Sequence, residues 1–182
     1  MQTRSYLIFM LATACLAANA GETNSDAATR IHADIDEVVA SAAVTPVDGI
    51  TSAGQPDAAA LRVFADSGYA AVIDMRGPDE DRGLDDEQAS VEALGMDYIA
   101  LPVTSADEIS FETAGKLDDL LQSIEGPVLV HCGSGNRVGA VLALRHSLSG
   151  ASAEEAIAFG KNSGLTRLES VVRKRLSETS QN

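Results

Sequence analysis

Pro127-Val-Leu-Val-His131 is the segment that most narrows what this chain can become. Its apolar residues are consecutive, not alternating, so a strand formed here must be covered on both faces, as strands of parallel sheets are. Gly126-Pro127 closes off what precedes it and a glycine-rich turn follows at Gly133-Ser-Gly135. The rest of the chain supplies partners for such a strand. Val47 to Ala53, Tyr69 to Asp74 and Asp97 to Leu101 read as further short strands. Helical patterns separate them: Ile31, Ile35, Val38, Val39 and Ala42 on one face, then a helix from Asp57 through Ser67, and one ending at Gly95. Phe111 to Ile124 and Val138 to Leu148 follow, a capping box at Ser152-Ala-Glu-Glu155 opens another helix, and Leu165 to Leu176 forms the last. This alternation predicts an α/β fold: a mostly parallel central sheet flanked by helices, with a helical C-terminal layer.

The 182 residues make one domain of ordinary size. Residues 1–20 read as a signal peptide, with Arg4 as the charged start, Tyr6 to Leu16 as a short apolar run and Ala18-Asn-Ala20 as the cleavage pattern. Residues 21–30 read as a linker and 31–178 as the single folded domain. The mature chain is therefore expected to be exported to the periplasm. Cys15, in Ala12-Thr-Ala-Cys15, is the alternative anchor of a lipoprotein. The apolar run is too short to span a bilayer. Lys and Arg number 13 against 27 Asp and Glu, a formal charge of −14, so a nucleic-acid partner or an anionic lipid surface is disfavoured. With only Cys15 and Cys132, no disulfide framework or cysteine zinc site can be built. No His, Asp and Glu cluster has ligand spacing, so neither a metal nor an organic cofactor is expected.

The chemistry concentrates in His131-Cys-Gly-Ser-Gly-Asn-Arg-Val-Gly139. A turn from a parallel strand into a helix aims several backbone N–H groups and the positive helix end at one point. Gly133, Gly135 and Gly139 permit the curvature, and Gly133, Ser134, Gly135 and Asn136 would line an oxyanion cradle. Cys132 at its mouth would be a thiolate nucleophile. Arg137 would hold an oxyanion with two parallel bonds, and His131, on the strand, would orient the cysteine. The reading as a serine nucleophile elbow fails, because the glycines are adjacent to Ser134 instead of two residues away.

This loop, together with Thr51-Ser-Ala-Gly-Gln-Pro56, Val72-Ile-Asp-Met-Arg76 and Leu101-Pro-Val103, resembles the cysteine-dependent tyrosine and dual-specificity phosphatases. It resembles most closely their bacterial branch of phosphatase-like domains of β-lactamase-hydrolase type, over roughly residues 46–176. The resemblance implies a tyrosine-phosphatase-like fold and hydrolysis of phosphate monoesters, on a phosphorylated small molecule or protein, through a Cys132 thiophosphate. It also implies a general acid on the loop after the third strand. Asp107, 25 residues before Cys132, is the candidate, with Glu108 next. Two departures keep sulfur transfer open: the Cys-to-Arg spacing is one residue shorter than in tyrosine phosphatases, as in rhodanese-like loops, and Val138 replaces the usual Ser or Thr. A rhodanese-like sulfurtransferase would carry a persulfide on Cys132 and need a sulfur donor and acceptor. A non-catalytic anion-binding module is the third reading. Asp74 and Arg76 are expected to pair or to line the pocket rim, the acids from Asp79 to Glu87 to form a solvated face, and His32 and His146 to play no special part. The oligomeric state is not legible.

Overall fold

A computed structural model describes residues 30–179; the expected signal peptide and Cys15 lie outside them. The strands are β1 (His32–Ala33), β2 (Ile50–Ala53), β3 (Ala71–Asp74), β4 (Asp97–Ala100) and β5 (Val128–His131). They pair in the order β1-β2-β5-β3-β4, and every pairing is parallel. The last strand in sequence therefore lies at the centre, between β2 and β3, as its uninterrupted apolar character requires. The helices are α1 (Ile35–Ser41), α2 (Ala58–Asp66), α3 (Glu87–Ala93), α4 (Phe111–Ser123), α5 (Asn136–Leu148), α6 (Ala153–Asn162) and α7 (Glu169–Thr179).

The two faces of the sheet carry two cores, and strand alternation sorts the residues between them. Val128, Val130 and Cys132 join α4, α5, α6 and α7 residues such as Leu117, Leu142, Ile157 and Leu176. Leu129 and Val72 point the opposite way, toward Leu61, Phe64 and Val91 of α2 and α3. Period-two alternation then carries Asp74 and His131 to the α3 side, and the two are register partners on adjacent strands.

The expected helices begin where their caps dictate. The side chains of Asp57, Asp86, Ser110 and Ser152 each accept a first-turn N–H, and the capping box of α6 is complete. Two expectations about the elements are corrected: the last helix starts at Glu169 and not at Leu165, and the first helix is shorter than expected. Ile31 does not belong to the first helix, because His32–Ala33 pairs with Ser52–Ala53 as an edge strand and Asp34 caps α1 after it. Burial of Ile31 in the sheet core supplied the apolar spacing that mimicked a helical face.

Gly139 also serves another purpose than the one expected. It lies a full turn inside α5, where a Cβ would fall 2.2 Å from the Leu165 nitrogen and 2.7 Å from the Gly160 oxygen. It is the close-contact point between α5 and α6, not part of the turn.

The candidate active site

Cys132 leaves β5 and is buried, with 1 % of its surface exposed, directly beneath exposed Gly133 and Ser134. The loop is pinned from one side by the segment after β2. Gly54 bridges Ser134, and the Gln55 N–H donates to the Gly133 oxygen at 3.4 Å. Gly135 forms the N-cap of α5 at φ 77°, a conformation costly to any residue with a Cβ. A Cβ there would also strike the His32 ring, at 2.3 Å. His32 is therefore not idle. Its ring packs under the loop with Nδ1 3.3 Å from Ser52 Oγ, which itself donates to the Ser163 oxygen at 2.7 Å. Because the cap is a glycine, no side chain bonds the first-turn N–H groups of α5.

Arg137 is held by one edge. Its NH1 donates to Glu80 Oε1 at 2.6 Å and to the Val103 oxygen at 3.0 Å, while NH2 donates to Glu80 Oε2 at 2.7 Å. This is the fork-to-fork pairing that guanidinium and carboxylate geometry favours. The guanidinium also faces the loop, with NH2 3.7 Å from where a Cβ on Gly133 would fall and Cys132 near enough to favour its charge. Glu80 is in turn fixed by the Gly77 N–H at 2.8 Å and by Arg76 Nε at 3.2 Å. The Arg137 hydrogen bonds hold the Glu80 carboxyl down to about 2, against the opposing effect of burial.

Beside Arg137 opens a cavity of about 590 Å³, walled by Asp79, Glu80, Val103, Thr104 and Leu168 among others. Asp79 is exposed there and has no hydrogen bond or ion pair among the described residues. The Asn136 side chain is not in the cradle. Its Oδ1 accepts the Thr166 N–H at 2.8 Å and the Leu168 N–H at 3.3 Å, so it anchors the α6–α7 connection that carries Leu168 into the cavity wall.

The fold does not bring Asp107 to the cavity. Its side chain is 99 % exposed and pairs with Arg175 NH2 at 3.3 Å, beside a neighbouring groove that includes Lys174. Its loop neighbours Thr104, Ser105 and Ala106 face the cavity instead. Glu108 turns back on its own loop and accepts the Thr104 and Ser105 N–H groups. Those bonds hold its carboxyl below the ordinary value.

The acids after β3 are the residues sequence reasoning missed. The expectation of a solvated face holds for Asp79, Asp81, Asp85 and Asp86, which are exposed, but not for Glu80 or Glu87. Glu87, at the start of α3, is 3 % exposed. It closes a buried group with Asp74 and His131, whose Nε2 lies 3.3 Å from Glu87 Oε1 and 3.7 Å from Asp74 Oδ1. Arg82 enters the same group, its NH2 2.7 Å from Asp74 Oδ2 and its Nε 3.3 Å from Glu87 Oε2. Tyr98 donates its hydroxyl to Asp74 at 2.8 Å. Asp74, Glu87 and His131 stand close enough to share an ion. Sequence spacing did not show this group; the Arg82 guanidinium reaches both carboxylates, and one proton completes their neutralisation. Burial, helped by the neighbouring Asp74 charge, pushes the Glu87 carboxyl up to about 7, and burial pulls His131 down to about 4. A signal for Glu80 and Glu87 was present in the sequence: Arg76 stands just before the acidic run and Arg82 within it, and each needs a partner once the chain folds back on the sheet.

Residues 42–151 match the family profile described as beta-lactamase hydrolase-like protein, phosphatase-like domain. A beta-lactamase hydrolase-like protein of Xylella fastidiosa is 35 % identical over 105 residues, covering 53 % of this chain and 23 % of that protein. One from Agrobacterium fabrum is 31 % identical over 119 residues, covering 63 % of this chain and 27 % of that protein. The chain thus spans about a quarter of the length of the curated relatives it matches. A Neisseria meningitidis protein provisionally described as a phosphatase superposes with a TM-score of 0.60 at 24 % identity, covering 70 % of this chain and 90 % of that one. Tk-PTP in its G95A form superposes with a TM-score of 0.55 at 18 % identity, covering 72 % and 91 %. These likenesses share the fold, a tyrosine-phosphatase-like α/β architecture. With 60 % of its length inside the family profile, the chain belongs to the phosphatase-like domains of beta-lactamase hydrolase-like proteins.

Proposed function

We propose that this chain is a cysteine-dependent hydrolase of phosphate monoesters, with Cys132 as nucleophile and Arg137 as oxyanion clamp. The observation that carries the reading is how Arg137 is held. Glu80 and the Val103 oxygen lock its guanidinium while NH2 also lies against the loop at Gly133, so its orientation beside the cysteine is fixed in advance. A guanidinium held this way spends little conformational entropy when an oxyanion arrives. The uncapped first-turn N–H groups of α5 add donors at the same place.

In this reading Cys132 Sγ attacks phosphorus, the S–P bond forms, and the P–O bond to the leaving group breaks. The departing oxygen takes a proton, and water then hydrolyses the thiophosphate. Asp107 would have to leave Arg175 to deliver that proton, whereas Asp79 already stands in the cavity wall. Asp79 takes the role of acid. The substrate is a phosphorylated small molecule or protein. The export reading rests on residues 1–20, and N-terminal sequencing of protein from its host tests it: an intact Met1 refutes export.

A second reading, sulfur transfer through a Cys132 persulfide, is favoured by Val138. It is fully buried and offers no hydroxyl next to Arg137 to assist thiolate departure from phosphorus. Mass spectrometry of the Cys132 peptide after exposure to an aryl phosphate or to thiosulfate separates the two. Added phosphoryl mass supports hydrolysis, one added sulfur supports transfer, and neither refutes both.

A further inference from the structure

Two hydrogen-bonded arms leave Glu87, and each ends in one half of the site. The first runs through side chains alone. Gln55 Nε2 donates to Glu87 Oε1 at 2.9 Å, and Arg76 NH1 donates to Gln55 Oε1 at 2.6 Å. Arg76 Nε donates to Glu80 Oε2 at 3.2 Å, and Glu80 holds Arg137 by both oxygens. The second arm is His131, with Nε2 3.3 Å from Glu87 Oε1; its ring is fully buried and immediately precedes Cys132. Neither His131 nitrogen has a well-formed hydrogen bond, and Glu87 Oε2 likewise lacks one. Groups left this way inside a protein are costly, and a proton between Glu87 Oε1 and His131 Nε2 satisfies that nitrogen, while Glu87 Oε2 has the Arg82 guanidinium at 3.3 Å.

We propose that Glu87 is a positioning residue common to both halves of the site: through Gln55, Arg76 and Glu80 it aims Arg137, and through His131 it sets the surroundings of Cys132. The proposal rests on the cysteine and arginine reading above and goes beyond it, because it assigns a role to a carboxylate that touches neither substrate nor nucleophile. The charged and titratable groups facing Glu87 are Asp74 at the end of β3, Arg76 and Arg82 after it, Tyr98 on β4 and His131 on β5. Asp74 and Arg82 neutralise each other. What remains is Glu87 with His131, and burial keeps the Glu87 proton on to about pH 7. Below that pH the pair is uncharged. Above it, a bare carboxylate stands against the His131 ring, on the sheet face opposite to Cys132, and its charge opposes a thiolate one residue further along the chain.

The test reads two quantities in the full chain, neither of which needs turnover. One is the iodoacetamide alkylation rate of the Cys132 peptide from pH 5.5 to 9, and the other is the affinity for vanadate, a phosphate mimic. Glu87→Gln keeps an acceptor for Gln55 but cannot ionise. It should alkylate like the parent at pH 6 and about threefold faster at pH 8, with vanadate affinity held within about twofold. Gln55→Leu cuts only the first arm. It should lose about tenfold in vanadate affinity and, because the lost Gln55 bond had held the Glu87 carboxyl down, keep the shape of the alkylation profile with its Glu87-dependent part moved to higher pH. Superimposable alkylation profiles for parent and Glu87→Gln overturn the His131 arm, and parental vanadate affinity in Gln55→Leu overturns the Arg137 arm. A parent that binds no vanadate refutes the oxyanion clamp of the proposed function, and alkylation then decides alone on Glu87.

Discussion

Two acidic loops border the same cavity and treat their acids in opposite ways. After β3, the segment Gly77 to Glu87 turns Glu80 and Glu87 inward, one onto Arg137 and one into the sheet. After β4, the segment Thr104 to Ile109 leaves Asp107 almost fully exposed and folds Glu108 onto its own backbone. The loops do not differ in acidity but in the cations within reach. Arg76, Arg82 and Arg137 converge on the first, each less than a quarter exposed. The second is met by Arg175, which is about as buried but also donates to the Ile109 oxygen and Glu178. A carboxylate is drawn inward where several guanidinium groups converge, because a buried charge is tolerable only when paired.

The contrast breaks most visibly if Arg82 is removed. Arg82→Leu leaves Asp74 and Glu87 without their cation in a site that is closed to water, and should destabilise the fold by about 3 to 5 kcal/mol. Urea unfolding measures it. A loss below about 1 kcal/mol would mean that the inward acids are no better held than surface ones.

Proton linkage sharpens the contrast next, because the two inward acids have opposite signs. The Glu87 carboxyl is raised to about 7, so its stabilising contribution is complete below the ordinary carboxylate value and is lost as pH rises through about 7. That loss is on the order of 3 kcal/mol. Glu80 is lowered to about 2, so its contribution is present above the ordinary value and is lost as pH falls toward 2. Comparing urea midpoints at pH 5 and pH 8 should show the parent losing stability with the rise and Glu87→Gln losing clearly less. Equal losses would place the proton elsewhere.

How much of this was legible in the sequence follows the same division. The mostly parallel sheet, the burial of Val128–His131 on both faces and the strand-loop-helix around Cys132 were readable, because they depend on local apolar runs, caps and glycines. The edge strand at His32–Ala33 was not, since two residues paired to β2 leave no periodicity to detect. The roles of Glu80, Glu87 and His32 were hidden for another reason. Each is defined by a partner distant along the chain, Arg137, His131 and Gly135 respectively, so their meaning exists only once the sheet has formed. For Asp107 the spacing was readable but the direction was not, and the side chain turns toward Arg175. Correct spacing from the cysteine does not fix which way a loop side chain turns.

Within the proposed function, the contrast sharpens again at Glu80. Glu80→Gln keeps the size but replaces a charged acceptor pair by one oxygen and one amide, so Arg137 loses half of its locked edge. The expected cost is about tenfold or more in phosphate protection of Cys132 against alkylation. Thermal stability should fall as well, because Glu80 pairs with Arg76 and Arg137, but by less than in Arg82→Leu, since Glu80 is one-third exposed. Unaltered protection would show that Arg137 orients itself without the carboxylate.

The smallest effect is expected at Asp107, and its smallness is informative. Its ion pair with Arg175 sits in water on the carboxylate side, where such pairs contribute little, so Asp107→Asn should shift stability by less than about 0.5 kcal/mol. If the loop after β4 stays as it is throughout catalysis, the same variant should hydrolyse an activated aryl phosphate and an alkyl phosphate with rates within about twofold of the parent, while Asp79→Asn slows the alkyl ester selectively. An aryl ester needs little protonation of its leaving oxygen and an alkyl ester needs much, so the ratio of the two rates isolates the acid from every other contribution. Selective loss on the alkyl ester in Asp107→Asn, with Asp79→Asn unaffected, would mean that this loop swings Asp107 away from Arg175 and into the cavity during turnover. The two loops would then differ in motion as well as in their cations.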